Sequence, residues 1–174
     1  MMTPNEYQNA ALATKNYETP IIYPSLGIVG EAGEVAEKVK KLHRDFGWNV
    51  NDKIPEDHRK EIALELGDVC WYAAVLSHDL GFNLSSIVDF NRLDNYGGSI
   101  TTLIVLLSVT CGKLAQESVI ESRLDDQAFV RLFSLVRVIA SELDFSLDDI
   151  LEMNIAKLAS RKQRGVISGN GDFR

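Results

Sequence analysis

The chain has 174 residues, 45% of them apolar and 25% charged, with a formal net charge of −7. That is enough chain to bury a core, as one large domain or two small ones, and the acidic balance argues against a broad nucleic-acid surface. The opening MMTPNEYQ has no apolar signal-peptide core. The longest apolar run, 100–112, is interrupted by Ser and Thr and stops at Lys113, too short to span a bilayer. Cys70 and Cys111 have no metal or redox spacing between them and read as reduced core residues of a cytoplasmic protein.

Thr3-Pro4-Asn5-Glu6 is a capping box with Pro at the first helical position. It predicts a helix running to about Tyr17, with Tyr7, Ala10, Ala11 and Thr14 on its inner stripe. Pro20 and Pro24 mark an extended connection. A second helix is expected over 25–45, with Ile28, Val29, Ala32, Val35, Ala36, Val39 and Leu42 as its apolar face. Gly30 and Gly33 lower its propensity by roughly 1 kcal/mol each relative to Ala and leave room for a close neighbour. After a polar loop, a third helix starts near Pro55 and stops before Gly81, a residue suited to the position just past a helix end. Asn83 is expected to cap a helix over 84–94, and Gly97-Gly98 is the clearest break in the chain.

Beyond that break the pattern repeats. LGFNLSSIVDFN, 80–91, aligns with LDFSLDDILEMN, 143–154, at an offset of 63. Thr102 to Ser118 then mirrors the second helix and Asp125 to Leu143 the third, although amphipathic helices of similar phase also match by chance. The expected division is a first half, 1–96, and a degenerate second half, 97–174, packed as one unit.

Two carboxylate pairs stand out: Glu31 and Glu34 in GEAGEVAEKVKK, and Glu65 and Asp68 in ELGDVCWYAAVL. Each pair is spaced i, i+3, on one helix face. Both lie in otherwise apolar stretches, where an acid is costly without a compensating cation. Antiparallel packing of the two helices would bring four carboxylates together, an oxygen-only set that suits Mg²⁺ or Mn²⁺ rather than zinc. The bland alternative is two solvated faces pairing with Lys38, Lys40 and Lys41. The second half lacks the set: Ala128 and Arg131 stand at the positions of Glu65 and Asp68, and Thr110 and Lys113 at those of Glu31 and Glu34. Lys157 stands at that of Asp94, and a basic tail follows only the second copy.

With these motifs, with the opening EYQ and with the closing NIAKLASRKQRGVISGNGDFR, the chain resembles the MazG-like, all-α nucleoside triphosphate pyrophosphohydrolases. The resemblance implies an all-α helical bundle that hydrolyses a nucleoside triphosphate to the monophosphate and pyrophosphate with Mg²⁺. It makes Glu31, Glu34, Glu65 and Asp68 metal ligands, and Lys157 and Arg161, four apart on a helix, phosphate contacts, with Arg164 beside them. The chain departs from the family in the length between its acid pairs and in the stretch 95–143 that precedes the tail. These departures point to a duplicated chain folding as an internal pseudodimer. A homodimer of such units is one arrangement its apolar faces allow.

A triphosphate would be repelled by bare acids, so metal is needed to bridge carboxylate and phosphate oxygens. Glu31 and Glu34 are the candidates for orienting the attacking water. A Lys or Arg would stabilise the leaving pyrophosphate. No Ser, Cys or His arrangement for covalent catalysis is visible. Glu37 and Glu61 read as surface acids, and His43, His58 and His78 as non-ligands. Asn91 and Asn154 suit helix ends, with Asn91 also a candidate nucleotide contact. Trp71 and Tyr72 read as core or as base-stacking groups, and Trp48 as a weaker stacking candidate. Gly165, Gly169 and Gly171 would permit the tail to wrap phosphates. The expected function is nucleotide-pool control. The alternatives are a dUTPase-like or dCTPase-like enzyme of narrow base preference, and a non-catalytic helical interaction module.

Overall fold

A computed structural model describes residues 2–50 and 52–164. The described residues form six α-helices and no strand: α1 (Pro4–Leu12), α2 (Ile22–Phe46), α3 (Glu56–Asp79), α4 (Ile100–Ile120), α5 (Asp126–Glu142) and α6 (Leu147–Gln163). α2 packs on α3 and on α4, α4 packs on α5, and α3 meets α5, so these four close into a bundle of two layers. α1 and α6 form a third layer over α3. The expected all-α bundle is therefore the observed one.

The capping box is present as written: the Thr3 side chain accepts from the Glu6 N–H, and Glu6 returns to the Thr3 N–H at 2.8 Å. The helix is shorter than expected, ending at Leu12 rather than near Tyr17. Trp71 Nε1 donates to Ala11 O and Thr14 Oγ1, at 3.1 and 3.0 Å, and claims acceptors at the helix end. The chain then runs as a strap held by Asp79, which receives Lys15 Nζ at 2.5 Å, the Tyr17 hydroxyl at 2.7 Å and the Ile21 N–H at 3.3 Å. α2 starts three residues earlier than expected. Pro24 is its third residue, where the missing N–H has no partner to lose.

Two expectations about α2 fail. A Cβ built on Gly30 or Gly33 would meet nothing within 4 Å, so these glycines face open space rather than a close neighbour. Val29 is exposed, while Ile28, Ala32, Val35, Val39 and Leu42 are buried. The glycine that does admit a neighbour is Gly67, between the acids of α3. A Cβ there would lie 2.8 Å from Asn154 Cβ and 3.3 Å from Ile150 O. Gly67 thus sets how closely α6 lies on α3.

The helix expected over 84–94 is a single 3₁₀ turn, Leu84–Ser86, followed by a loop. Asn83 makes no side-chain cap, and the N–H groups of Leu84 and Ser85 go to Gln8 and Asn5 of α1. In the matching window Ser146 and Asp149 form a reciprocal box, and α6 runs on for 17 residues. The turns before the two windows nonetheless coincide at the offset of 63. Phe82 N donates to Ser77 O and Phe145 N to Ala140 O, each at 2.9 Å. Gly81 N donates to His78 O at 2.8 Å and Asp144 N to Ser141 O at 3.1 Å. Gly81 and Asp144 both hold positive φ, 88° and 64°. The strain on Asp144, which has a Cβ, is offset by Arg59 at 2.5 Å and Lys53 at 3.4 Å on its carboxylate.

In an ordinary helix interior, Gly→Ala is stabilising by up to about 1 kcal/mol. Gly67→Ala should do the reverse, lowering stability by about 1–3 kcal/mol because Asn154 and the α6 backbone must move away. A fall in the urea midpoint at unchanged m-value would record it.

Candidate metal centre

α2 and α3 run antiparallel: Glu31 lies by Asp68 at one level, and Lys38, two turns further along α2, reaches Glu65 and Glu61, at 3.1 and 3.8 Å. Of the four carboxylates expected to converge, three come together. One carboxylate oxygen from each of Glu31, Glu65 and Asp68 falls within 4.8 Å of the others. Glu34 is not part of this trio. It is exposed, one turn on from Glu31, and close enough for its charge to act on Glu31.

The three acids are compensated unequally. Glu65 is buried, which pushes its carboxyl up, and the hydrogen bond from Lys38 opposes that rise. Asp68 is clamped from α6, accepting from Asn154 Nδ2 at 2.8 Å and pairing closely with Lys157. Asn154 is fully buried, and the Tyr7 hydroxyl of α1 lies 3.0 Å from its Oδ1 and 3.3 Å from Gly67 O. Among the described residues Glu31 has no such cation. Burial, then the charges of Asp68, Glu34 and Glu65, push its carboxyl up to about 8, with Lys157 pulling weakly the other way. Two lysines thus balance two acids and leave the third uncompensated. That donor set, all carboxylate oxygen, fits a hard divalent cation held by Glu31, Glu65 and Asp68.

The cationic residues expected from the tail separate. Lys157 is at the centre. Arg161 is half-buried in the last turn of α6, one turn beyond Lys157. Arg164 caps α6 at the surface, its Nε donating to Ser160 O at 3.4 Å. Gly165, Gly169 and Gly171 lie outside the described residues. Asn91 is exposed in the loop after the 3₁₀ turn, its side chain on Asp89. Trp71 is buried beside Tyr72, their ring centroids 4.9 Å apart, and lines a cavity of about 220 Å³ between α1 and α6 that also touches Asn154. Tyr72 lies over Gly27, where a Cβ would come within 2.1 Å of its ring, and Tyr23 and Tyr17 continue the aromatic row.

Trp48 is not placed for stacking on a ligand. It is buried, and its Nε1 pins the 47–55 loop through Asp52 O and Lys53 O, at 3.1 and 3.3 Å. His43 packs on Trp48 and His58 on Phe46. Glu37 pairs with Lys40 and Lys41 along the surface. The reading of Asn154 as a helix end is corrected: it stands mid-α6 and holds Asp68. The roles of Asn154 and Tyr7 were missed and had no sequence signal, whereas the pairing of Lys38, about two helical turns beyond Glu31, with an acid of the pairs belongs to the alternative reading of solvated faces. Further along the chain, Lys113 pairs with Asp125 at 3.1 Å and Arg131 lies over the Tyr96 ring, and among the described residues no acid trio recurs there.

Residues 25–91 match the family model described as MazG nucleotide pyrophosphohydrolase domain. The matched window contains both acid pairs and Lys38, and stops short of Asn154 and Lys157. The chain is also similar to the Gene 37 protein of Mycobacterium phage L5, 44% identical over 69 residues, which is 40% of this chain. It spans 57% of the length of that curated relative. No solved structure matches the chain closely enough to be significant.

The raised carboxyl of Glu31 has a signed consequence in metal-free protein. Between its ordinary value, 4.5, and about 8, the folded chain keeps a proton that the unfolded chain has lost, so stability falls as pH climbs through that window. Glu31→Gln removes the loss. In EDTA at about pH 8.5 the variant should be more stable by on the order of 2 kcal/mol, allowing for partial exposure, and the gain should vanish below the ordinary carboxylate range. Urea unfolding at the two pH values measures both.

Proposed function

We propose that the chain, whose residues 25–91 match the model of the MazG nucleotide pyrophosphohydrolase domain, is a Mg²⁺-dependent nucleoside triphosphate pyrophosphohydrolase, yielding the monophosphate and pyrophosphate. The observation that carries this reading is the approach of Glu31, Glu65 and Asp68 within 4.8 Å inside the matched segment. Mg²⁺, or Mn²⁺, bound there supplies Lewis acidity and neutralises the charge of the phosphate chain.

The chain's own residues divide the remaining work. Asn154 and Tyr7 fix the carboxylate of Asp68 from behind. Lys38 holds Glu65. Glu34, exposed beside the trio, is placed to accept a proton from the attacking water, a role it shares with Glu31. Lys157 neutralises Asp68, and its flexible stem lets the ammonium turn to a phosphate oxygen when Asp68 has another cation beside it. Arg161 extends the same helix face by one turn, toward the leaving pyrophosphate, and its fork suits two phosphate oxygens. Trp71 and Asn91 are the further candidate contacts to the nucleotide.

We assign the division into halves, 1–96 and 97–174, to an internal duplication, supported by the coincidence of the turn hydrogen bonds before 84 and 147. On this reading one half gives the acids and the other gives Asn154, Lys157 and Arg161. The role is control of the nucleotide pool in the cytoplasm.

Incubation with a panel of NTPs and dNTPs in Mg²⁺ should release pyrophosphate, and EDTA should abolish the release. Asp68→Asn should lower kcat/KM by about 100-fold or more, and Asn154→Ala by about 10–100-fold through Asp68. Lys157→Ala and Arg161→Ala should lose activity with the fold retained. No release from any nucleotide would leave a helical interaction module, and release from one base alone a dUTPase-like or dCTPase-like enzyme.

A further inference from the structure

A cavity of about 920 Å³ lies between the loop after the 3₁₀ turn and the corner where α5 passes to α6. None of Glu31, Glu65, Asp68 and Lys157 lines it. Its size is that of a small-molecule site. Three aromatic side chains make its apolar wall. Phe90 is buried, its ring 5.1 Å from that of Phe133. Tyr96 is half-buried, with the Arg131 guanidinium 5.7 Å from its ring centre. Phe145 is half-buried at the corner itself. Two of the three rings are thus backed by α5 and offer a fixed, flat surface.

The charged groups of the cavity are unequally matched. Asp144 is met by Arg59 and Lys53, and Asp148 by the Met2 N–H. Arg137 spends Nη2 on Leu93 O, Asp94 O and Asn95 Oδ1, at 3.2, 2.9 and 2.8 Å. Its Nε is buried without a partner, and among the described residues its Nη1 makes no hydrogen bond and no carboxylate pairs with it. Glu142, exposed at the rim, likewise pairs with no Lys or Arg among the described residues. One unmatched donor and one unmatched acceptor therefore remain beside the aromatic wall.

We propose that this cavity binds a guanine nucleoside, at a second site apart from the metal centre. A guanidinium only donates and a carboxylate only accepts, so the ligand must be flat, with an acceptor edge and a donor edge. Guanine has both. Its O6 and N7 suit Arg137, and its adjacent N1–H and N2 amino group suit the two oxygens of Glu142. Adenine has no carbonyl for the arginine. Uracil has a single N–H flanked by carbonyls, which would face the carboxylate unfavourably. The aromatic wall takes the face of the base. A triphosphate is disfavoured, because Glu142, Asp144 and Asp148 line the cavity against the one guanidinium.

Isothermal titration calorimetry of the full chain in EDTA, with guanosine up to about 1 mM, should show saturable binding to one site. Adenosine, uridine and GTP should each bind about 10-fold or more weakly. Glu142→Gln should cost guanosine about 10-fold as well. Ser141 lines the cavity from an exposed position and its side chain makes no hydrogen bond among the described residues. Ser141→Trp fills the space and should abolish binding, with far-UV circular dichroism and the urea midpoint retained. Glu31→Gln should leave guanosine binding unchanged. Pyrophosphate release plays no part in these measurements, so their outcome is separate from that of the hydrolase assignment. No saturable binding of guanosine, uridine or GTP binding equally well, or guanosine binding that survives Ser141→Trp or is lost in Glu31→Gln would overturn it.

Discussion

Asp68 is where the two ends of the chain meet. Its carboxylate is held by Asn154 and Lys157, both on α6, and α6 comes close enough only because residue 67 has no side chain. Tyr7 of α1 closes the arrangement from the other side, with its hydroxyl against Asn154 and the Gly67 carbonyl. Three helices far apart in sequence are thereby fastened at one buried point. A buried acid is costly when alone and stable when hydrogen-bonded and paired. Removing either α6 partner would leave that cost uncompensated, so the docking of α6 and the placement of the Asp68 carboxylate depend on each other.

The division of charge follows from the same contact. Lysines on α2 and α6 take Glu65 and Asp68, and Glu31 remains, among the described residues, as the acid with no lysine of its own, keeping its proton up to about pH 8. With its proton on Glu31 the centre is balanced; when that proton leaves, one negative charge has no lysine to meet it, in a place partly closed to water. A centre lacking every lysine would be hard to fold.

Much of this could be read from residue order. The capping box at Thr3, the end of α3 at Gly81 and the spacing of the acids rest on local rules, and each appears where those rules put it. The failures were tertiary. The segment after Asn83 has a helical pattern, but α1 takes its N–H groups and the chain turns away. Gly30 and Gly33 have the composition of a close helix contact and face open space, whereas Gly67 looks like any glycine in a helix and carries the contact. Asn154 had nothing in its neighbourhood to mark it; its meaning lies in Asp68, 86 residues away. The C-terminal stretch illustrates the converse: that it has no acid pairs like those of α2 and α3 was legible, but not the contacts α6 makes with Asp68.

That separation bears on how the molecule comes into being. While the chain is being made, α2 and α3 are complete long before α6, and the long loop between Asp68 and Asn154 must close before the clamp exists. An unfinished chain therefore carries the acids of α2 and α3 without the partners that α6 supplies. The clamped carboxylate arrives last, together with the final helix, so the order of synthesis delays the finished arrangement until the chain is nearly complete.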